Sequence, residues 1–375
     1  MSESSTGLLY IAIFIITSVL GTLSQRHNNG RVVFIPVFFL SAFIIHWFFG
    51  TFTNIGSDYN HYINIIAEEA GERMETGNEL GFNALCCILY NLLGNAHISL
   101  FFIRSLEYFI LYYTFWRLRY RVSLGYAIMA YNMIIYVYSF LLVSMHFAVV
   151  ALFLSYVYLV EFKEKKALVM LIVACSVHSS SLLLIPVFVI YLFFIRKNKK
   201  VRLTHMIFLG GAAVAIVVAF SMIYDYAMAN IPMFIQYAEY AFKDEQRGSG
   251  LTQYVFFIPI FYFAYQLYRS NYDYRIKYSS IVFSVMGLSY ALLGYKIEVL
   301  VRINMSFLMI YSCIVPMALQ HKRVYEKSSK GMSYIADASL WFLYLAVRGF
   351  LYFEDYMSVE TGGDLYSYSL FNPFN

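Results

Sequence analysis

Charge is what this sequence has least of. Only 13% of its 375 residues are Asp, Glu, Lys or Arg, about half the ~25% of soluble domains, so an ordinary solvated surface cannot be built from it. Cysteine is scarce: Cys86, Cys87, Cys175 and Cys313 form no C-x-x-C pair and no zinc spacing, and a disulfide framework is not expected. Familiar signatures are missing as well. With no Walker A loop, H-E-x-x-H, G-x-S-x-G or Gly-rich dinucleotide turn, ATP-driven transport and the common hydrolase chemistries have no support. No clustered carboxylates suggest a metal, and no cofactor is expected.

What is present is apolar. Hydrophobic residues make up 61% and aromatics 20%, with a mean hydropathy of +0.62. The apolar residues fall in runs of spanning length, which predicts an all-α, polytopic integral membrane protein. The 36 Tyr and 35 Phe suit interfacial belts or a groove for a sugar-bearing ligand. Candidate spans lie at 7–23, 32–53, 98–116, 122–143, 145–160, 167–195, 203–224, 251–268, 278–295, 301–319 and 332–352. The start has no basic n-region or cleavage site and reads as a retained first span.

Basic clusters set the topology. QRHNNGR (25–31), RLRYR (117–121), KEKK (163–166), RKNKKVR (196–202), RSNYDYRIK (269–277) and HKRVYEK (321–327) are expected on the cytoplasmic side. The net charge of +5 therefore reflects membrane orientation and not nucleic-acid binding. Only one crossing then fits between the acidic stretch 54–80 and the loop at 117, so 81–94 is expected to be an outer-face interfacial or re-entrant helix. Residues 167–195 join two basic loops. As one helix they would run about 43 Å, too long for a core of about 30 Å, so a break is expected at Ser176–Ser181. The result is about 12 crossings in a single integral membrane domain, 1–375, with both termini outside and outer segments at 54–97, 225–250 and 353–375. Of the 22 acidic residues, 16 fall in outer segments, a check independent of the basic residues that built the scheme.

Ionisable residues left in or beside spans are the candidates for chemistry, because burying charge in lipid is costly. Arg104, Arg302 and Arg348 all fall toward outer helix ends, where guanidinium forks suit a phosphate or diphosphate. The plain alternatives are that Arg104 pairs with Glu107, that Arg348 snorkels outward and that Arg302 meets Glu298 four residues earlier. His178, at the expected break, can serve as a general base or as a structural ligand of freed carbonyls. His146 has a weaker claim. Asp58, facing outward after the second span, is a second candidate base, with Tyr59 and Tyr62 able to hold a sugar and Glu79 a further carboxylate. Acidic outer loops are common, and Glu68, Glu69, Glu72 and Glu75 read as solvated surface.

At these positions the chain resembles the EpsG-like branch of Wzy-type bacterial polysaccharide polymerases. The family's D-Y-x-x-Y element is similar to Asp58, Tyr59 and Tyr62, and its E-x-G-F element to Glu79, Gly81 and Phe82. Its S-M-R-Q helix end is similar to Ser144, Met145, His146 and Phe147. Its K-K step and A-x-x-x-H-x-S element are similar to Lys165, Lys166, Ala174, His178 and Ser180. Arg302, Phe307 and Pro316, and the closing YSYSLFNPF, extend the likeness. One departure stands out: His146-Phe147 replaces the family's Arg-Gln.

The resemblance implies a glycosyltransferase of the bacterial cytoplasmic membrane with its active face outward and a GT-C-like arrangement. It would join oligosaccharide repeat units carried on undecaprenyl diphosphate, in contact with membrane lipids and alongside a chain-length regulator and a flippase. His178 or Asp58 would be the base. Arg302, helped by Arg104, Arg348 or His146, would hold the diphosphate, and Tyr59, Tyr62 and Glu79 the sugar. A lipid-linked oligosaccharide flippase or transporter, and a membrane acyltransferase acting on surface glycans, are the rival readings.

Overall fold

The computed structural model describes residues 3–28, 31–56, 58–69, 79–197, 251–294, 298–325, 331–357 and 368–374, with isolated positions 204, 208 and 215. The chain divides into two compact units: Met1–Ser179 with Leu319–Asn375, and Ser180–Ala318.

The first unit begins with α1 (Glu3–Leu23) and a hairpin of β1 (Gln25–Asn28) and β2 (Arg31–Phe34). The strands pair from Gln25↔Phe34 to Asn28↔Arg31. The residues between them in sequence, Asn29-Gly30, are a favoured pair for a two-residue hairpin loop. This small sheet occupies the expected basic loop at 25–31 and takes the first residues, 32–34, of the expected span 32–53. Next come α2 (Pro36–Thr51), α3 (Tyr59–Glu69), α4 (Leu80–Leu93), α5 (Ala96–Leu118), α6 (Leu124–Ile134), α7 (Tyr138–Leu141), α8 (Val143–Val160) and α9 (Glu164–Val177).

Local chemistry sets several of these boundaries. Pro36 opens α2, where its missing N–H is no loss. Gly94 ends α4 at φ 67°, a left-handed cap that lacks the Cβ penalty. The Asn95 side chain then caps α5 by accepting from the N–H groups of His97 (2.8 Å) and Ile98 (3.2 Å).

Every residue of α8 is buried, as expected of a helix apolar all round. It packs against α5 and α9, while α1 packs on α2 and α6, and α4 touches α3, α5 and α9. The second unit holds α10 (Ile185–Lys197), α11 (Leu251–Arg269), α12 (Tyr274–Gly294) and most of α13 (Glu298–Tyr325); α14 (Gly331–Met357) belongs to the first unit. Within the second unit α12 packs on α10 and α11, and the Tyr311 hydroxyl donates to the Phe283 carbonyl at 2.9 Å.

Five described helices are long and apolar enough to cross a membrane: Ser5–Leu23, Ala96–Leu118, Val143–Val160, Ile303–Val324 and Met332–Leu351. On α1 and α14 large apolar side chains stand outward, among them Leu8 (67% exposed), Met332 (86%) and Phe350 (65%). Water would penalise such faces; lipid does not. The chain is a helical membrane protein.

The expected break at Ser176–Ser181 is present. Helix α9 ends at Val177, a 3-10 turn covers Ser179–Leu184, and a new helix starts at Ile185. A single span at 122–143 is not what forms: α6 stops at Ile134, and a turn and the short α7 precede α8. In that turn the Tyr136 ring sits edge-on to Phe14 of α1 at 5.6 Å, and to Phe140 and Tyr131 at 5.1 and 6.0 Å. The expected span at 203–224 and outer segment at 225–250 lie outside the described residues, except positions 204, 208 and 215.

The basic clusters gather at one end of the first unit. Arg117, at the end of α5, pairs with Glu161 in the turn after α8, and Lys163 reaches the same carboxylate at 3.0 Å. Gln25 of the hairpin donates to the Arg119 and Val122 carbonyls at 2.5 and 2.8 Å and accepts from the Leu124 N–H at 2.7 Å. At about 1.5 Å per residue, the N-terminus of α5 at Ala96 lies about 33 Å away at the opposite end.

Helix α4 is 14 residues, about 21 Å, short of a bilayer core of about 30 Å. Leu92 is 75% exposed on it. Cysteine placed at Leu92 is expected to react with a membrane-impermeant maleimide added outside intact cells. Labelling only after the cytoplasmic side is opened would overturn the non-crossing assignment.

Candidate functional site

At the end of the first unit opposite its basic clusters, segments far apart in sequence converge. Tyr59, Tyr62, Phe82, Val143, Phe147 and Val177 share one buried cluster, with Phe371 packed against it. Two glycines permit the approach. Gly56 has φ +108°, and a Cβ there would lie 2.4 Å from the Phe140 carbonyl oxygen; a Cβ on Gly81 would fall 2.3 Å from Ser176 Oγ. Both positions exclude a side chain, so the α2–α3 connection sits on α7 and α4 sits on α9.

His178 follows α9 with an extended backbone (φ −143°, ψ 115°), its N–H still donating to the Ala174 carbonyl at 3.0 Å. This turns the ring out of the helix. Its Nδ1 meets Glu79 Oε1, from the residue that precedes α4, and Ser144 Oγ lies 3.5 Å from the same nitrogen. The Ser144 N–H donates to Tyr62 Oη at 3.4 Å. The His178 side chain is 9% exposed and that of Glu79 24%, so the pair is embedded without being sealed. With the carboxylate on Nδ1, the imidazole carries its proton there and Nε2 is the basic nitrogen.

Asp58 is half-buried at the start of α3, and its carbonyl accepts from the Tyr62 N–H at 2.9 Å. Burial pushes the Tyr62 hydroxyl well above the usual phenol range; the Ser144 hydrogen bonds oppose this, and the Glu79 and Asp58 carboxylates add to it. Both acids therefore stand within electrostatic reach of Tyr62. Tyr59 is likewise pushed up by burial, to about 12, against the Arg104 charge. Both tyrosines stay neutral near pH 7 and act as hydrogen-bonding groups, not bases. Tyr59 Oη meets His97 Nδ1 at 2.8 Å.

A second histidine–carboxylate pair lies deeper. His146 Nδ1 is 2.6 Å from Glu107 Oε2, both side chains fully enclosed, and His146 Nε2 is 3.2 Å from Tyr131 Oη. Both ring nitrogens are thus engaged inside the protein. The expected Arg104–Glu107 pairing is not the contact that forms. Arg104, 2% exposed, donates to the carbonyls of Thr53 (3.2 Å) and Phe140 (3.5 Å) and lies 5.4 Å from the Tyr59 ring centroid.

From sequence, Arg104, Arg302 and Arg348 are expected to form an outward grip on diphosphate. In the structure Arg104 and Arg348 are enclosed, the latter 5% exposed, so neither presents its guanidinium to solvent. Arg302 lies on α13, and its side chain is outside the described residues. Asp58, Tyr59, Tyr62, Glu79 and His178 are brought together. In sequence Glu107 is marked only by its spacing to Arg104. His97 and the role of Phe371 had no signal beyond their presence near Asn95 and in the aromatic tail. Among the described residues no group of three His, Cys, Asp or Glu is placed to hold a metal ion.

Searches of curated proteins and of solved structures gave no match. The EpsG family profile, in contrast, matches residues 32–369, 338 of the 375 positions, and takes in every segment that builds the site except the last residues of the tail. The chain belongs to the EpsG family, whose members are associated with polysaccharide biosynthesis.

Proposed function

We propose that this protein polymerises oligosaccharide repeat units carried on undecaprenyl diphosphate, at the outer face of the bacterial cytoplasmic membrane. The observation that supports it most is the Glu79–His178 pair, open to solvent in part and set beside Asp58, Tyr59 and Tyr62. An acceptor sugar hydroxyl attacks the anomeric carbon of the donor chain. His178 Nε2 takes the hydroxyl proton while Glu79 stabilises the imidazolium, a new glycosidic bond forms, and the anomeric carbon–phosphate oxygen bond breaks to release polyprenyl diphosphate. Asp58 is the competing base. Tyr59 and Tyr62, 6% and 7% exposed with their hydroxyls met by His97 and Ser144, back the wall of the sugar site from beneath its surface.

The leaving diphosphate needs positive charge. Arg302 is assigned that contact on sequence grounds, while Arg104 and Arg348 contribute from enclosed positions, through the field and not through contact. Arg302→Ala is expected to abolish polymer while the protein still inserts; wild-type chain length in that variant would contradict the assignment. The proposal includes about 12 crossings, a GT-C-like arrangement, and work beside a flippase and a chain-length regulator.

Deleting the gene in a polysaccharide-producing cell tests the reading. Loss of a polymerase leaves single repeat units at the surface. Units trapped inside would identify a flippase, and long chains lacking a substituent an acyltransferase; either result overturns the proposal.

A further inference from the structure

The end of the chain returns to the site. Thr53 and Leu370 form an antiparallel bridge, with the Phe371 N–H donating to the Phe52 carbonyl at 3.1 Å. Thr53 Oγ1 donates to the Ser369 carbonyl at 3.1 Å, and Ser369 Oγ meets Asn54 Oδ1 at 2.7 Å. Tyr368 is tied at two points: its N–H donates to Thr6 Oγ1 at 3.0 Å, and its hydroxyl to the Phe49 carbonyl at 2.9 Å. These bonds join 368–371 to α1 and to the α2–α3 connection, and together they fix one ring. Phe371 stands edge-on to Tyr59 at 6.1 Å between centroids and lies 5.2 Å from His97.

Tyr59 is thereby held from three sides. Its hydroxyl meets His97, its ring stacks on the same imidazole at 5.9 Å and 26°, and the Arg104 guanidinium lies 5.4 Å from its centroid. Phe371 packs against both rings of the Tyr59–His97 pair, and His97 stays half-buried. We infer that Phe371 is a positioning residue of this site: residues 368–371 form a fixed wall that orients half-buried His97, backed by the enclosed Tyr59, as the face an acceptor sugar ring meets. The inference rests on the polymerase reading above, since it takes the Tyr59–His97 pair as one wall of the sugar site. It adds a function for residues 368–371 and a role for His97.

The test uses full-length protein in membranes, supplied with lipid-linked repeat units extracted from a producing cell, with elongation rate followed against their concentration. Phe371→Ala is expected to raise KM about tenfold, the scale of one lost aromatic contact, with kcat within about threefold of wild type. Phe371→Tyr should restore KM, and Leu370→Ala, at a neighbour 64% exposed, should change neither constant. A second variant guards against misfolding. Because the Phe371 N–H bonds to Phe52, Thr53 and Leu370 face each other as a non-hydrogen-bonded pair, with Cα atoms about 4.5 Å apart, within disulfide range. Thr53→Cys with Leu370→Cys, oxidised, should remain active, because a wall stays in place through turnover. An unchanged KM in Phe371→Ala, a loss confined to kcat, or a locked protein inactive until reduced would each overturn the inference. If the wild type elongates nothing, the polymerase reading itself fails; if it elongates and Phe371→Ala is indifferent, only the wall fails.

Discussion

His178→Ala is expected to lower polymer formation by at least about 100-fold, the range for removing a positioned general base, with the protein still present in the membrane. The ring sits beyond the last turn of α9, so its loss costs the helix little. What is lost is the nitrogen that receives the acceptor proton. Glu79→Gln should be milder, about tenfold to 100-fold, because the amide keeps a hydrogen bond to Nδ1 but no longer stabilises a charged imidazole. The measurement is the chain-length distribution of surface polysaccharide from cells carrying each variant. If Asp58→Asn is inactive while His178→Ala keeps full activity, the base is Asp58, and the Glu79–His178 pair is structural.

The second large effect falls on stability. Glu107 and His146 are fully enclosed and joined at 2.6 Å. Removing one partner of a buried hydrogen-bonded pair leaves the other polar group unsatisfied, at a cost of about 1–3 kcal/mol, whereas replacing both by apolar residues of similar shape is often close to neutral. Glu107→Ala should therefore lower the melting temperature in detergent sharply, and Glu107→Leu with His146→Leu should recover most of it. Equal loss in single and double variants would show that the two groups do not act as a pair. This separates the two histidines: His146 is expected to move stability, and His178 activity.

How legible each part was follows from the forces involved. The helices were readable because lipid demands apolar runs, and the break in 167–195 because a helix of that length overruns the bilayer. The turn inside 122–143 was not readable: the run is predominantly apolar, and the packing of Tyr136 in it against Phe14 from α1 joins distant segments and leaves no local pattern. The hairpin had a local signal in Asn29-Gly30, but a flanking cluster of positive charge drew the reading toward topology. Asp58, Tyr59, Tyr62, Glu79 and His178 were each picked out singly; that Glu79 faces His178 depends on Gly81 allowing α4 to lie on Ser176. Burial misled the reading of the arginines. Helix-end position suggested an open rim, yet Arg104 is taken up by the Thr53 and Phe140 carbonyls, whose location only the folded chain reveals.

The most direct measurement is elongation by the purified protein in liposomes, given lipid-linked repeat units alone, with no nucleotide sugar and no ATP. A ladder of lengthening chains from wild type, absent with His178→Ala, is the expected result. No ladder from a folded wild type, or an undiminished ladder from the variant, would contradict the account.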